Sequence, residues 1–452
     1  MRPFVILVLC AGLMFSCRKV SRTAPHRIQP TRAVKARVSA WVPMIMPADS
    51  SHAAYAGLNW PKEVRSFYTS RRGQAYWLTP AADSAGLTGS WRDTLMRVQY
   101  LGLLPEDYHS AERASPGCDS IRQEALLTDA FLSLAHDLKH GRAVASAGKD
   151  PVDRHALDSI TGGMELARYL SSQEPAFIGY HELKKALRST INAALPGAGD
   201  AALQQKIRLA AVNLDRWRQL PVPPQTHYLL VNIPAYTLYL VDRDSIVLES
   251  RIIVGKPETP TPELSGSIDR ITVNPYWYVP RKIAVEEFLP QLQTDTAFLT
   301  NNNFDVLDRK GNIISPDSIE WKAVTPHTFR VVLRQRPGRE NSLGVFKFVF
   351  ENPFAVYLHD TNAKKLFKKT MRGFSHGCIR VERAEELAHY LVTGSFHERS
   401  QKINRAVASG QTLTIRLRQP LVLYITYLTA AGKAGELIPY DDLYQCDSTG
   451  GQ

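Results

Sequence analysis

From about Gly57 to Leu220, apolar residues recur at three and four positions. Leu126, Leu127, Ala130, Phe131, Leu134 and Leu138 form one stripe that stops near Gly141, and Leu203, Ile207, Ala210, Leu214 and Trp217 form another. A shorter stripe of Leu95, Val98 and Leu101 runs into Gly102 and Pro105. This spacing predicts helices with one apolar face, and Gly or Pro at the end of a stripe marks a stop. At Pro221–Pro224 the period changes to two. The runs Tyr228–Ile233, Thr237–Val241, Ile246–Val254, Phe329–Leu333, Phe346–Phe350, Ala355–Leu358 and Thr412–Leu417 are short, β-branched or aromatic, and separated by Asp, Gly, Asn and Pro. They predict strands. Ile283–Leu299 interrupts them with a helical pattern, and Ala384–Val392 predicts one more helix closed by Gly394.

The expected fold class is therefore α+β, with an all-helical domain over 57–220 followed by a β-rich domain over 221–447. Within the second domain we expect a helical lid insertion at about 281–325 and a β-hairpin at 421–447 attached to the same sheet system. Ahead of both, residues 1–17 carry Arg2, an apolar run from Phe4 to Phe15, and then Ser16-Cys17. That layout predicts an export signal, too short to span a bilayer permanently. Met14-Phe15-Ser16-Cys17 resembles a bacterial lipobox with Met14 where Leu is usual, which implies lipidation at Cys17. Residues 18–56, rich in Pro, Arg and Ser, then read as a flexible tether.

The chain of 452 residues is 44% apolar and 22% charged, within the range of ordinary folded domains. Its net charge of +12 is spread along the sequence rather than gathered into basic runs interleaved with aromatics, so no nucleic-acid partner is expected. The five cysteines, Cys10, Cys17, Cys118, Cys378 and Cys446, include no CxxC pair and no zinc-ligand spacing with histidine. No structural metal is expected; a Cys118–Cys446 disulfide stays open. His136 and His140 lie four apart on one helix without a third ligand, and a solvated helix face is the better reading.

Candidate chemistry gathers in Tyr357–Val381. Cys378 has His376 two positions before it and His359 upstream at the end of a strand. A free thiol with its pKa near 8.5 needs a neighbour that takes or shares its proton. If the polar loop Asp360–Phe374 joined two adjacent strand ends, His359 and Cys378 would meet. Gly377 permits a tight turn in which the Gly377 and Cys378 amides would face an oxyanion. The implied reaction is acyl transfer. A buried core cysteine beside bystander histidines is the competing interpretation of the same residues.

Ser375-His376-Gly377-Cys378-Ile379-Arg380, preceded by His359-Asp360-Thr361, resembles the active-site signature of the YkuD-type L,D-transpeptidases. Asn232-Ile233-Pro234-Ala235-Tyr236, Val254-Gly255-Lys256-Pro257, Thr259-Pro260-Thr261-Pro262, Asn274-Pro275-Tyr276-Trp277 and Leu343-Gly344 extend the likeness to the YcbB-like branch, as does Leu138-Lys139-His140-Gly141-Arg142 in the helical half. The peptidoglycan-binding module common in that branch has no room between Ser189 and Leu220. The resemblance implies Cys378 as nucleophile and His359 as proton donor and acceptor. It implies His376, Gly377, Arg380 and Ser375 around the catalytic pocket, with a bracing role for Ser375 and Arg380 equally open. Tyr357, Trp277 and Asp360 are candidates for the substrate groove, with core packing as the alternative for the two aromatics.

The resemblance further implies a cell-envelope enzyme, facing the periplasm on a lipid anchor, that acts on peptidoglycan peptide stems without a cofactor or metal. Its product would be a 3-3 cross-link formed through a cysteine thioester, and carbapenems would acylate the same cysteine. Two alternatives remain: an L,D-carboxypeptidase or wall-protein-detaching hydrolase that uses the same thiol with water as acceptor, and a lipid-anchored wall-binding protein without activity.

Overall fold

A computed structural model of the chain describes residues 45–47, 53–142, 156–193, 201–221, 227–295 and 297–447. The expected export signal, Cys17 and most of the tether lie outside these residues, as does most of the Pro221–Pro224 boundary. Met44–Gln452 forms one compact unit holding both the helical and the β-rich regions.

The helical region is organised on the long helix Ser120–His140, which Asp119 caps by accepting from Arg122 N at 2.7 Å. Its apolar stripe is buried as the spacing predicts. Two acids on the same helix are also fully buried and act as staples. Glu124 accepts from the backbone amides of Trp77 and Leu78, each at 2.9 Å, and Asp129 accepts from those of Asn59 and Trp60 at 3.0 and 2.7 Å. A buried carboxylate is tolerated when several donors converge on it, so these two pin the preceding loops to the helix. His136 departs from the solvated face expected of it. It is buried, with its ring 5.3 Å from that of Trp60 and 5.0 Å from that of His140, because the Trp60 loop folds over that side of the helix.

Among the described residues fifteen strands follow: β1 (His227–Asn232), β2 (Thr237–Asp242), β3 (Ser245–Gly255), β4 (Leu264–Val273), β5 (Trp277–Tyr278), β6 (Phe304–Leu307), β7 (Ile313–Ile314), β8 (Val332–Gln335), β9 (Phe346–Val349), β10 (Leu358–His359), β11 (Gly373–Ser375), β12 (Ile379–Val381), β13 (Leu413–Thr426), β14 (Ala430–Lys433) and β15 (Glu436–Pro439). Nine of them form one sheet in the order β11-β3-β12-β10-β9-β4-β13-β1-β2, and β2 pairs again with β3, which closes the sheet on itself. Most pairs are antiparallel; β1/β13, β10/β12 and β11/β3 are parallel.

One face of β1 and β13, through Leu229, Val231, Leu423 and Ile425, joins the apolar core that also takes the helix Ala384–Thr393. The opposite face, through Tyr228, Leu230 and Tyr424, packs against Phe177, Leu183, Leu214 and Trp217 from the end of the helical region. A strand covered on both sides reads as a continuous apolar run, which Tyr-Leu-Leu-Val does. The close fit shows at Gly179, where a Cβ would lie 2.4 Å from the Trp217 ring.

Two expected features are redrawn. The lid is a unit of its own, with its own core of Val279, Leu289, Leu292, Leu299, Phe304, Trp321, Phe329 and Leu333. It is wider than 281–325, because β5 and β8 on either side complete its four-stranded sheet β5-β8-β6-β7. The C-terminal hairpin is narrower than 421–447. Val422–Thr426 continues β13 across an irregularity between Arg416 and Leu421, a place where Pro420 is tolerated, and only β14 and β15 form the hairpin. That hairpin pairs with no other strand and packs instead on the helix Ile178–Ala193: a Cβ on Gly432 would meet Glu182 O at 2.0 Å. No disulfide joins Cys118 to Cys446, and no described helix is long and apolar enough to cross a membrane.

Candidate active site

Three strands set the site. Lys347 on β9 stands opposite His359 on β10, which stands opposite Arg380 on β12; one position along, Phe348, Leu358 and Ile379 align in the same way. The latter three are fully buried in the core. Alternation therefore puts Lys347, His359 and Arg380 on the other face, and Tyr357 and Cys378 with them at the next step. The amide of Ile379 donates to Tyr357 O at 3.1 Å and fixes Cys378 beside Tyr357.

The turn that delivers Cys378 is braced from within and from behind. Ser375 Oγ donates to Cys378 O at 2.5 Å and accepts from Gly377 N at 3.1 Å. Its own carbonyl accepts from Lys256 N at 3.0 Å and Thr259 Oγ1 at 3.2 Å. Gly377 has φ +112, a value that only glycine adopts without strain. Gly255 is required for a different reason, since a Cβ there would stand 2.2 Å from Thr259 O. Behind the turn, Tyr444 OH donates to Gly255 O at 2.7 Å and accepts from Thr261 N at 3.1 Å.

Cys378 is half-buried, and burial pushes its thiol above the ordinary range; hydrogen bonding from the Tyr357 backbone and hydroxyl and the charges of Lys347 and Arg380 act the other way. Tyr357 is raised by burial first and then by the thiol. His359 is 5% exposed, and its Nδ1 lies 2.5 Å from Asp360 O. Burial foremost, then Arg380 and Lys347, depress it to about 3, against the Asp360 and Leu343 carbonyls, so the imidazole is neutral at physiological pH. Its ring centroid is 5.6 Å from that of Tyr357. Among the described residues no hydrogen bond joins His359 to Cys378.

Of the residues singled out from sequence, Cys378, His359, Tyr357 and Arg380 come together on this face. Ser375 and Gly377 form the turn, but the Gly377 amide, expected to face an oxyanion, donates to Ser375 Oγ. His376 is exposed and reaches away from the thiol to Glu287 of the lid, 2.5 Å from its Nε2. Asp360 does not face a groove: it is buried, accepts from Val345 N at 2.9 Å and pairs with Lys364. Trp277 packs in the lid against Phe288 and Phe304, at 6.0 and 6.2 Å between ring centroids. Two residues were not foreseen. Lys347 interrupts an apolar strand as Phe-Lys-Phe-Val, a visible signal of an outward position, whereas Thr261 lies in the quoted Thr259-Pro260-Thr261-Pro262 stretch with nothing in it to show a bracing role. Among the described residues no cluster of three or more His, Cys, Asp or Glu could hold a metal.

Comparison with known proteins gives this geometry a context. Residues 226–403 match the YkuD family, described as an L,D-transpeptidase catalytic domain, and residues 62–187 match the family described as a Scaffold domain. A provisionally named L,D-transpeptidase of Haemophilus influenzae is 32% identical over 253 residues, which is 56% of this chain and 50% of that protein. The chain thus spans half the length of this curated relative. Partial structural alignments reach an L,D-transpeptidase from Mycobacterium smegmatis at 11% identity, covering 44% of this chain and 58% of that one with a TM-score of 0.21. They also reach the catalytic domain of an E. faecium L,D-transpeptidase acylated by ertapenem at 14% identity, covering 35% and 83% with a TM-score of 0.18. The chain carries a YkuD L,D-transpeptidase catalytic domain joined to a helical Scaffold domain, the YcbB-like architecture, with no peptidoglycan-binding module matched.

Proposed function

We propose that this chain is a peptidoglycan L,D-transpeptidase that uses Cys378 as its nucleophile and forms 3-3 cross-links. The observation that carries the reading is the shared face of β10 and β12, where a half-buried thiol stands beside Tyr357, His359 and Arg380 inside a YkuD domain.

Cys378 Sγ gives up its proton and attacks the carbonyl that joins the diaminopimelate residue of a tetrapeptide stem to its terminal D-Ala. The C–N bond breaks, D-Ala leaves with a proton on its amine, and a thioester remains. The side-chain amine of a second stem then attacks the thioester, the C–S bond breaks, and the thiol regains a proton. His359, held neutral, is the group that accepts and returns these protons. The Cys378 amide faces the developing oxyanion. Carbapenems, whose strained amide opens to the same nucleophile, acylate Cys378. The setting is the cell envelope, with the chain tethered by lipid at Cys17.

Incubation with a defined tetrapeptide muropeptide and weighing of the products tests the reading. A cross-linked dimer with loss of D-Ala is expected. A tripeptide monomer would make the enzyme a carboxypeptidase, and binding without turnover would leave a wall-binding protein. A Cys378→Ala chain that still produced dimer, or still gained the mass of a carbapenem, would remove the thiol from the mechanism.

A further inference from the structure

The face that carries Cys378 holds two cations with no carboxylate set against them. Lys347 Nζ rests 3.8 Å from the centroid of the Tyr357 ring, within cation–π range, and Tyr357 is the residue whose backbone and hydroxyl meet the thiol. Arg380, on the far side of His359, has a buried Nε without a hydrogen-bond partner. Among the described residues neither cation forms an ion pair. The acids nearby are engaged elsewhere: Asp360 with Val345 N and Lys364, Glu287 with His376.

A partly desolvated ammonium without a counter-ion is costly unless an anion occupies its neighbourhood for part of the working cycle. The anion this face can generate is the thiolate. His359 is poorly placed to balance it, since a positive imidazole would sit directly between Lys347 and Arg380 in the strand register. We propose that Lys347 is the standing counter-charge of the Cys378 thiolate, so that the reactive pair is thiolate and ammonium rather than thiolate and imidazolium. This rests on Cys378 being the nucleophile. In the step itself Cys378 S–H becomes S⁻, its proton passes by way of His359 to solvent so that the imidazole is neutral again in the reactive state, and Lys347 keeps its own proton and forms no bond. Lys347 acts here as a positioning residue, through charge and through the Tyr357 ring.

The groups facing the pair are Tyr357 just before β10, His359 from β10, Arg380 from β12 and Arg270 from β4, whose like charge lowers the Lys347 pKa; His376 and Glu287 stand at the exposed rim.

The test follows alkylation of Cys378 by iodoacetamide across pH, as mass gained at that residue in the full chain, with Cys378→Ala setting the background from the other cysteines. In Lys347→Gln the rate at neutral pH should fall on the order of tenfold, with the profile displaced to higher pH, and Lys347→Arg should recover most of it. Superimposable profiles for the wild type and Lys347→Gln would overturn the assignment. Should Lys347→Gln not fold, the wild type carries the test: negatively charged iodoacetate should react several-fold faster relative to iodoacetamide than it does with a free thiol, and an absence of preference would overturn the proposal. Because turnover is not read, a Cys378→Ala chain that still cross-links would count against the nucleophile and not against the charge pair.

Discussion

Thr261 joins Gly255 to Gly377 with one hydroxyl, accepting from the amide of the first at 2.9 Å and donating to the carbonyl of the second at 2.9 Å. The end of β3 is thereby fastened to the turn that presents Cys378. Thr261→Val keeps the shape but leaves two buried backbone groups unpaired, and should cost about 2 kcal/mol in urea unfolding. Cross-linking should fall further than the folded fraction does, because the turn loses its backing. Thr261→Ser should restore both; a valine variant with full turnover would mean that the turn holds itself.

His359 links stability to acidity. Its folded pKa of about 3 lies below the unfolded value of 6.5, so between the two the unfolded ring binds a proton that the folded ring refuses. The group's contribution is complete above pH 6.5 and is lost as pH falls toward 3, at about 1.4 kcal/mol per unit. Urea midpoints at pH 7 and pH 5 should differ less in His359→Gln than in the wild type. Equal acid sensitivity would indicate that the ring does protonate in place.

Gly344 and Asp360 should show partial non-additivity. A Cβ on Gly344 would lie 2.4 Å from Asp360 Oδ2, at a φ of +60. Gly344→Ala should destabilise by about 2 kcal/mol or more. In an Asp360→Ala background the side-chain clash goes, while the contact with Thr361 N at 2.6 Å and the conformational cost stay, so a double-mutant cycle by urea unfolding should return a partial coupling.

The Glu287–His376 contact between lid and turn is exposed, and pairs of that kind contribute little to stability. Glu287→Gln should leave the unfolding midpoint within about 0.5 kcal/mol of the wild type. If the contact steadies the lid over bound stems, KM for muropeptide should rise while kcat holds. A change in kcat alone would instead tie His376 to the chemistry.

Much of the site could be read from sequence because its chemistry is local. Ser375-His376-Gly377-Cys378 carries its own turn, and the helix stripes and the Tyr228–Ile233 run announce their burial by period. What could not be read depends on partners distant in the chain. Thr261 acquires its role only when Gly377 lies beside it, and the 3.8 Å approach of Lys347 to Tyr357 exists only once β9 pairs with β10. β4 escaped notice because Ser265, Ser267, Asp269 and Arg270 dilute its apolar alternation. For Trp277 the groove and core packing were both open, and packing in the lid claimed it; Asp360, beside the catalytic motif, went to a backbone amide and Lys364 instead of the groove.

The parallel pairing of β10 with β12 has a consequence for how this enzyme can change. In a hairpin, one residue more or less in the connection would slip the register and turn Cys378 to the opposite face. Here the strands run the same way, and each is held by neighbours of its own, β9 on one side and β3 on the other. The intervening 360–372 segment can therefore lengthen, shorten or exchange its Lys-rich stretch while the thiol and the imidazole keep their places, leaving the surroundings free to drift around a fixed site.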